Sequence, residues 1–438
     1  MTFLNIDFDE LIDKVNETLT VYSEGVVKRV IGLTIEVQGI KAFVGELCTI
    51  FNQYGKPVHS EVVGFRDDFV ILMPLGDLNG IASGCRVVPS NKPLEVKCSD
   101  DMLGKILDGL GKPINGEKEL SGVGYALENS PPDPLSRIRI KDVMPTGVRA
   151  IDGFLTVGDG QRIGIFAGSG VGKSTTLGMI AREAEADVNV IALIGGERGR
   201  EVLEFIEKDL GPEGMKKSVV VCATSDKPAL IRLKGALTAT SIAEYFRDQG
   251  KKVILMMDSV TRFAMAQREV GLAIGEPPAT KGYTPSVFAK LPMLMERAGT
   301  SDKGSITAFY TVLVDGDDFN EPIADAVRGI LDGHIVLSRA LAQKNHYPAI
   351  DVLHSVSRLM SSIADENHKM AASMARDLLA TYEDSEDLIN IGAYVKGSNP
   401  KIDKAIAYHD LLEQYLRQGI TERSPFNESI NILTSMFK

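Results

Sequence analysis

Apolar and polar residues alternate between residues 21 and 94, in short segments rich in Val, Ile and Phe that turn residues separate. A period of two is typical of strands that bury one face, and short, evenly spaced strands favour a small closed barrel. The pattern therefore predicts a β-barrel domain with strands at Gly25–Ile31, Leu33–Val37, Gly45–Phe51, Val58–Phe65 and Phe69–Met73.

The first twenty residues have a helical period instead. Asp7 can cap a helix, and Glu10 lies three residues later, as in a capping box. The pattern predicts an amphipathic helix over residues 4–19, which either packs on its own chain or binds a partner protein. Its apolar face would carry Leu4, Phe8, Leu11, Ile12, Val15 and Leu19.

Strand and helix patterns alternate from residue 140 to about residue 345. This alternation predicts an α/β fold in which helices cover a parallel sheet. Turn residues at 104–116 and 129–134 predict linkers. The predicted strands are Arg162–Phe166, Val188–Ile194, Ser218–Cys222, Lys252–Met257 and Ile306–Val314.

The last part of the chain has helical patterns only, with no strand pattern after Leu353. We therefore place the α/β domain at residues 95–347 and an α-helical C-terminal domain at residues 348–438. The predicted helices are Ala364–Ala380, Tyr382–Ile391, Pro400–Gln418 and Asn427–Phe437.

A glycine-rich loop follows the predicted strand Arg162–Phe166 and precedes a helical stretch that starts near Thr175. Glycines let successive backbone N–H groups face phosphate oxygens, a lysine neutralises the β- and γ-phosphates, and a hydroxyl ligates Mg²⁺. Ala167 stands where such loops usually have their first glycine. We interpret the segment as a binding loop for a nucleoside triphosphate, with binding residues Gly168, Ser169, Gly170, Val171, Gly172, Lys173, Ser174 and Thr175.

Charged residues in three further segments could complete this site. Asp258 ends an apolar strand, where its carboxylate can hold Mg²⁺ directly or through water. Glu197 follows another strand, and it either polarises an attacking water or belongs to a charged surface loop. Arg358 lies far beyond the sheet strands, and it is either a finger on a neighbouring subunit's nucleotide or an ordinary surface arginine.

Composition narrows the function classes. The formal net charge of −11 disfavours nonspecific nucleic-acid binding, which depends on Lys and Arg neutralising phosphates. The four cysteines have no CxxC pair, so we expect small core residues in a reducing compartment. The N-terminus is acidic and no apolar run approaches a membrane span, so we expect a cytoplasmic protein that reaches a membrane only through partners.

Over nearly its whole length the chain resembles the α/β-type ring ATPases, with a barrel, a RecA-like P-loop nucleotide domain and a helical tail in that order. Within this family it is most similar to the flagellar and type III secretion export ATPases. The segments that carry this similarity are Pro145–Asp152, Gly164–Ser174, Asp258–Phe263, Gly275–Ser286, Pro322–Asp325, Ile330–Arg339 and His346–Asp351.

The resemblance implies roles for particular residues. Glu197 matches the catalytic carboxylate, and Arg198 matches the arginine that contacts the γ-phosphate. Arg262 matches a family residue near the phosphates. Tyr347 matches the aromatic residue that stacks on adenine, and Arg358 matches the trans-acting finger.

One departure from the family pattern concerns the segment before the catalytic carboxylate. Gly195 and Gly196 stand where the family usually has a single glycine. The extra residue predicts a β-bulge at the end of the preceding strand.

The implied mechanism is Mg²⁺-dependent ATP hydrolysis in a homohexameric ring, where each site combines Lys173 and Glu197 of one copy with Arg358 of the next. Hydrolysis would drive unfolding of export substrates or their release from chaperones. The family also implies a stator-like regulatory protein at the N-terminal helix. It implies a stalk protein at residues 394–403, where a plain helix–helix turn is the alternative. Localisation would be cytoplasmic and peripheral to an inner-membrane export apparatus, through export-gate partners.

Three other functions share parts of the pattern. A catalytic subunit of a rotary F/V-type proton or sodium ATPase would need a non-identical partner, and the segments 164–174 and 275–286 disfavour it. A non-catalytic ring subunit typically lacks a carboxylate at the position of Glu197. An RNA-translocating ring motor is disfavoured by the acidic charge and by the lack of a basic, aromatic surface in the barrel segment.

Overall fold

The computed structural model describes residues 23–114, 118, 120–196, 199–314 and 318–438. The chain forms two compact units, of which the first ends at Leu94 and the second begins at Glu95. The predicted helix at residues 4–19 and two candidate site residues, Glu197 and Arg198, lie outside the described residues.

The first unit is a closed antiparallel barrel of six strands. They are β1 (Gly25–Ile31), β2 (Thr34–Gln38), β3 (Glu46–Phe51), β4 (Pro57–Arg66), β5 (Phe69–Pro74) and β6 (Arg86–Pro93). Their order around the barrel is β1–β2–β5–β4–β3–β6, and β6 closes the barrel against β1. Inward-facing side chains form its core, including Val27, Ile35, Ile50, Leu72 and Val87.

The barrel prediction is confirmed, although β6 has no counterpart among the predicted strands. Prolines at positions 89 and 93 weaken its strand pattern, since proline lacks the N–H that a ladder needs. The strand still forms because it pairs with both β1 and β3.

The second unit contains a nine-stranded sheet and a separate two-stranded sheet. The small sheet pairs β7 (Glu95–Cys98) with β9 (Val123–Ala126). The large sheet consists of β8 (Ile106–Asp108), β10 (Arg162–Ala167), β11 (Val188–Ile194), β12 (Ser218–Ala223), β13 (Lys252–Asp258), β14 (Gly299–Thr300), β15 (Ser305–Leu313), β16 (Gly333–Leu337) and β17 (Ile350–Ser357).

Strands of the large sheet follow the order β17–β16–β10–β15–β13–β11–β12–β8, and β14 pairs with β15 at one end. Neighbours along the path are parallel except β16 and β17, which are antiparallel. All seven residues of β11 are buried, as expected for a parallel strand that is covered on both faces. The predicted α/β class is therefore confirmed.

Helices cover the sheet and form the end of the chain. They are α1 (Arg149–Phe154), α2 (Lys173–Glu183), α3 (Gly199–Glu204), α4 (Gly211–Lys216), α5 (Ala229–Asp248), α6 (Val260–Ala273), α7 (Pro285–Met295), α8 (Pro322–Ile330), α9 (Arg339–Gln343), α10 (Met360–Ile363), α11 (Glu366–Asn390), α12 (Pro400–Leu416) and α13 (Phe426–Ser435). Among the described residues, no helix is both long enough and apolar enough to cross a bilayer.

No predicted strand covers β7, β9, β14 or β16. The structure also differs from the sequence predictions at three further places. The predicted linker at 104–116 contains β8, which pairs with β12 at the edge of the sheet. The sheet continues past the predicted boundary at residue 347, because β17 pairs with β16. Both strands are short or partly polar, so their apolar signal is weak. The two helices predicted between residues 364 and 391 are one helix, α11.

All four cysteines are free and buried, which confirms them as core residues. Burial raises the pKa of the Cys48 and Cys98 thiols to about 12. These thiols therefore stay protonated and unreactive at neutral pH.

A buried ion pair connects the segment that follows α7 to helix α5. Arg297 donates from Nε and Nη2 to the two carboxylate oxygens of Glu244 on α5, at 2.9 and 2.7 Å. A further Arg297 nitrogen donates to the Leu127 carbonyl at 2.6 Å. Both charged side chains are almost fully buried, so each depends on the other for its charge to be tolerated.

We predict that Glu244→Gln lowers the free energy of unfolding by about 3–5 kcal/mol, since it leaves a buried guanidinium without its counter-charge. The midpoint of urea unfolding, followed by circular dichroism, measures this loss. Glu204→Gln is the matched control, because Glu204 forms an exposed pair with Lys208. Equal midpoints for the two variants would contradict the prediction.

Candidate nucleotide-binding site

The carboxyl ends of adjacent parallel strands meet at one edge of the large sheet. The glycine-rich loop follows β10, Asp258 ends β13, and Gly195 follows β11. Because β15 lies between β10 and β13, and β11 flanks β13, these segments face the same space. Open α/β sheets bind ligands at this edge.

The glycine-rich loop has the backbone geometry of an anion site. Gly170 and Gly172 have φ values of +78° and +90°, a region that glycine adopts without steric cost. Gly172 caps the eleven-residue helix α2, and its carbonyl accepts hydrogen bonds from the amide and hydroxyl of Thr176, both at 3.0 Å. The first-turn N–H groups of a helix have no intrahelical acceptor and attract phosphate.

Residues of the loop differ in their exposure. Ser169 and Gly170 are exposed, whereas Gly168 and Val171 are buried. Thr175 is half-buried and hydrogen-bonds to the carboxylate of Asp209. This contact directs the Thr175 hydroxyl towards a neighbouring segment, so its backbone N–H is the better candidate for a phosphate contact.

Lys173 connects the phosphate loop, which follows β10, to β13, the second strand from β10 in the sheet. Its Nζ lies 2.5 Å from Oδ1 of Asp258. The hydroxyl of Thr311, on the intervening strand β15, donates to the same oxygen at 2.7 Å. Asp258 is only 3% exposed, and a carboxylate buried to this degree needs such partners. The structure thus brings together two predicted site residues and adds Thr311.

The oxygen donors at this edge suit Mg²⁺. Asp258 offers a carboxylate, and the half-buried Ser174 offers a hydroxyl in the first turn of α2. Mg²⁺ is usually held by one or two protein oxygens together with substrate phosphates and water. Within the described ranges no group of three His, Cys, Asp or Glu side chains could hold a metal ion.

Arg262 lies beside the two glycines that precede Glu197. Its side chain is 3.2–4.0 Å from the positions that β-carbons on Gly195 and Gly196 would occupy. Its Nε atom is buried and has no hydrogen-bond partner among the described residues. A guanidinium at this edge of the sheet suits an anionic ligand.

The predicted bulge at the end of β11 is wrong. The register of β11 with β12 continues without a shift to Ile194, and with β13 to Leu193. Gly195 then leaves the strand with a φ of +61° while its amide donates to the Ala223 carbonyl at 2.7 Å. The extra glycine is accommodated in the turn beyond the strand because glycine tolerates that angle.

Tyr347 lies next to the phosphate loop. Its Cε1 atom is 3.5 Å from the position of a β-carbon on Gly172, and the residue is 42% exposed. The ring therefore borders the loop while keeping a face open to a ligand. It also lines a cleft of about 850 Å³ together with Arg149, Asn345, His409, Asp410, Glu413, Gln414, Arg417, Gln418, Gly419 and Glu422.

A hydrogen bond between His346 and Glu413 holds one side of this cleft. The Nδ1 atom of His346 lies 3.0 Å from Oε2 of Glu413 on α12. This hydrogen bond is the main cause that lowers the pKa of Glu413 below its usual value. Glu413 is therefore a carboxylate at neutral pH, and it fixes the residue that precedes Tyr347.

Arg358 lies at the opposite edge of the sheet from the loop. Ser357 pairs with Gly333 at the amino end of β16, and the amide of Arg358 donates to the Asp332 carbonyl at 3.1 Å. β10 runs parallel to β16, and the phosphate loop follows its carboxyl end. The six residues of β10 span about 17–20 Å, which is farther than an arginine side chain reaches. The exposed Arg358 is thus remote from its own chain's loop.

Family models match three successive parts of the chain. The β-barrel domain of the ATP synthase alpha/beta family matches residues 27–91, and the nucleotide-binding domain of that family matches residues 147–357. The C-terminal domain of the type III secretion ATPase EscN matches residues 364–435.

Relatives and solved structures agree with these matches. A flagellum-specific ATP synthase of Bacillus subtilis is 59% identical over 97% of this chain and 98% of its own length. A type 3 secretion system ATPase of Xanthomonas euvesicatoria is 50% identical over 94% of this chain and 93% of its own length. The structure of the assembled ATPase EscN from enteropathogenic E. coli is similar with a TM-score of 0.89 and 47% identity, over 94% of this chain and 100% of that one.

EscN in complex with its central stalk EscO is similar with a TM-score of 0.88 and 46% identity, over 94% of this chain and 100% of that one. These similarities favour the export-type ATPase over the rotary proton or sodium ATPase. The chain belongs to the flagellar and type III secretion ATPases of the ATP synthase alpha/beta family, and it is an ATP hydrolase.

Proposed function

We propose that this ATPase works as a homohexameric ring in which each nucleotide is bound between two copies of the chain. The observation that carries the proposal is the position of Arg358, at the sheet edge opposite its own phosphate loop. An arginine there can act only on a nucleotide held by another subunit. A contact that joins the two different edges of identical chains is head-to-tail, and it closes into a ring when the rotation permits.

In each site, loop amides and Lys173 hold the β- and γ-phosphates. The Lys173 ammonium has three donors, so it can keep Asp258 while it also donates to a phosphate oxygen. Mg²⁺, held by the Ser174 hydroxyl and by Asp258 directly or through water, would neutralise charge on the same phosphates. Arg262 lies at the same edge, and its guanidinium suits a further phosphate contact.

Glu197 orients the water that attacks the γ-phosphate, and Arg198 contacts that phosphate. The described segment that ends at Gly196 supports this assignment, since it leads directly from the carboxyl edge of the sheet beside Arg262. Arg358 from the neighbouring copy stabilises the charge that develops on the transferred phosphoryl group. Adenine stacks on the open face of Tyr347.

We assign the hydrolytic energy to unfolding of export substrates, or to their release from chaperones, at a flagellar or type III export apparatus. The relatives' names, flagellum-specific ATP synthase and type 3 secretion system ATPase, support the part of this assignment that concerns the apparatus. A stalk protein would bind the turn between α11 and α12, because EscN is solved with a central stalk and this turn exposes Ile391 and Val395 at 75% and 70%. A stator-like regulator would bind the N-terminal residues 4–19. The enzyme would act in the cytoplasm and reach the inner membrane through export-gate partners.

Activity against protein concentration tests the ring. We expect the ATPase rate per chain to rise steeply with concentration, because a complete site needs two copies. Arg358→Ala should lower kcat by about 10³-fold, the smaller end of the range for arginine fingers. Arg423→Ala is the control, since Arg423 is also exposed and pairs only loosely with Glu183. A concentration-independent rate, or full activity of Arg358→Ala, would overturn the proposal.

Replacing the stacking ring tests the base site separately. Tyr347→Ala should raise the KM for ATP by about tenfold and leave kcat less affected, because stacking of a base on an aromatic ring contributes about 1–3 kcal/mol. Tyr347→Phe keeps the ring face and should bind ATP nearly as the unmodified chain does. Steady-state kinetics over a range of ATP concentrations give both constants, and an unchanged KM in Tyr347→Ala would remove Tyr347 from the site.

A further inference from the structure

We propose that Gln418 is a positioning residue for the nucleotide base, because it fixes the segment that carries Tyr347 against the start of α1. The inference rests on the stacking role proposed above for Tyr347. Gln418 makes this connection with both its backbone and its side chain.

Hydrogen bonds from the C-terminal end of α12 hold each of the residues 345, 346 and 347. Nη1 of Arg417 donates to the Asn345 carbonyl at 3.3 Å. His346 hydrogen-bonds through Nδ1 to Glu413 at 3.0 Å. The amide of Gln418 donates to the Tyr347 carbonyl at 3.0 Å. The backbone beside the stacking ring therefore moves only if the end of α12 moves with it.

The side chain of Gln418 anchors that helix end. Its Nε2 donates to the carbonyls of Gly147 and Glu422, at 2.8 and 2.9 Å. Its Oε1 accepts from the amide of Arg149, the first residue of α1, at 2.8 Å. Gln418 is only 5% exposed, and a buried amide with all these partners is held in one orientation.

The anchor joins three distant parts of the sequence at one point. The turn before α1 contributes Gly147, the segment after α9 contributes Tyr347, and the end of α12 contributes Gln418. Tyr347 itself borders Gly172 of the phosphate loop. Arg149 also holds this helix end, because its side chain donates to the Tyr415 and Arg417 carbonyls. Loss of the Gln418 side-chain bonds would therefore loosen the helix end without releasing it, and the ring would be held less well at the distance that the base requires.

Kinetics in two backgrounds test this role. In the full-length chain we expect Gln418→Ala to raise the KM for ATP by about fivefold to tenfold, as expected for the loss of one or two hydrogen bonds that hold the ring. The value of kcat at saturating ATP should stay within about twofold. In the Tyr347→Ala background the same substitution should raise the KM no further, because the ring that it positions is absent.

Two further variants serve as a control and as a substitute. Gln249→Ala removes an exposed glutamine at the end of α5 and should leave KM and kcat unchanged. Gln418→Met fills the same volume without hydrogen-bonding groups, and it replaces Gln418→Ala if thermal unfolding shows that the alanine variant does not fold. An unchanged KM in a folded Gln418 variant would overturn the inference.

A rise in KM of the same size in the Tyr347→Ala background would also overturn it, since the effect would then be independent of the ring. These outcomes separate the inference from the proposal on which it rests. If Tyr347→Ala leaves the KM for ATP unchanged, the stacking role itself fails. If Tyr347→Ala raises the KM and Gln418→Ala does not, only the positioning role of Gln418 fails.

Discussion

The salt bridge between Lys173 and Asp258 holds the candidate site together. It connects the loop after β10 to the end of β13, and Thr311 on the strand between them donates to the same carboxylate oxygen. This arrangement exists only because β10, β15 and β13 are parallel neighbours that end at one edge. A carboxylate with 3% exposure would be costly without these partners, so loop, strand and sheet depend on one another.

The same sheet separates the two halves of the proposed catalytic machinery. Parallel strands bring the phosphate loop, Arg262 and Tyr347 to the carboxyl edge. The antiparallel strand β17 returns the chain to the amino edge, where Arg358 follows it. In a single chain the phosphate loop and the proposed finger Arg358 therefore lie at opposite edges, and identical copies could combine them head to tail.

Local patterns in the sequence predict much of this fold. Strand β11 has the predicted bounds because its residues are apolar except for Asn189, which is also buried. The phosphate loop is also local, since its glycines, lysine and hydroxyl are consecutive. Strands β6, β8 and β17 lack the apolar pattern that predicts a strand, because they are short, polar or contain proline. They form through pairing with strands that lie elsewhere in the sequence.

Contacts between distant segments limit what sequence reasoning finds in the site. Thr311 has the pattern of an ordinary strand residue, and only the sheet order shows that its hydroxyl reaches Asp258. Gln418 looks like a helix-terminal residue, and its bonds to Gly147 and Tyr347 depend on how α12 packs. Tyr347 was predictable through the family resemblance, since no local spacing connects it to a loop that lies far earlier in the chain.

If two copies of the chain build each site, two inactive variants with different defects should complement each other when they are mixed. Lys173→Ala removes the phosphate contact and Arg358→Ala removes the finger. When equal amounts are mixed, about a quarter of the interfaces should pair an intact loop with an intact finger, so we expect ATPase activity well above that of either variant alone. Activity of the mixture no greater than the average of the two variants, under conditions where they co-assemble, would contradict it.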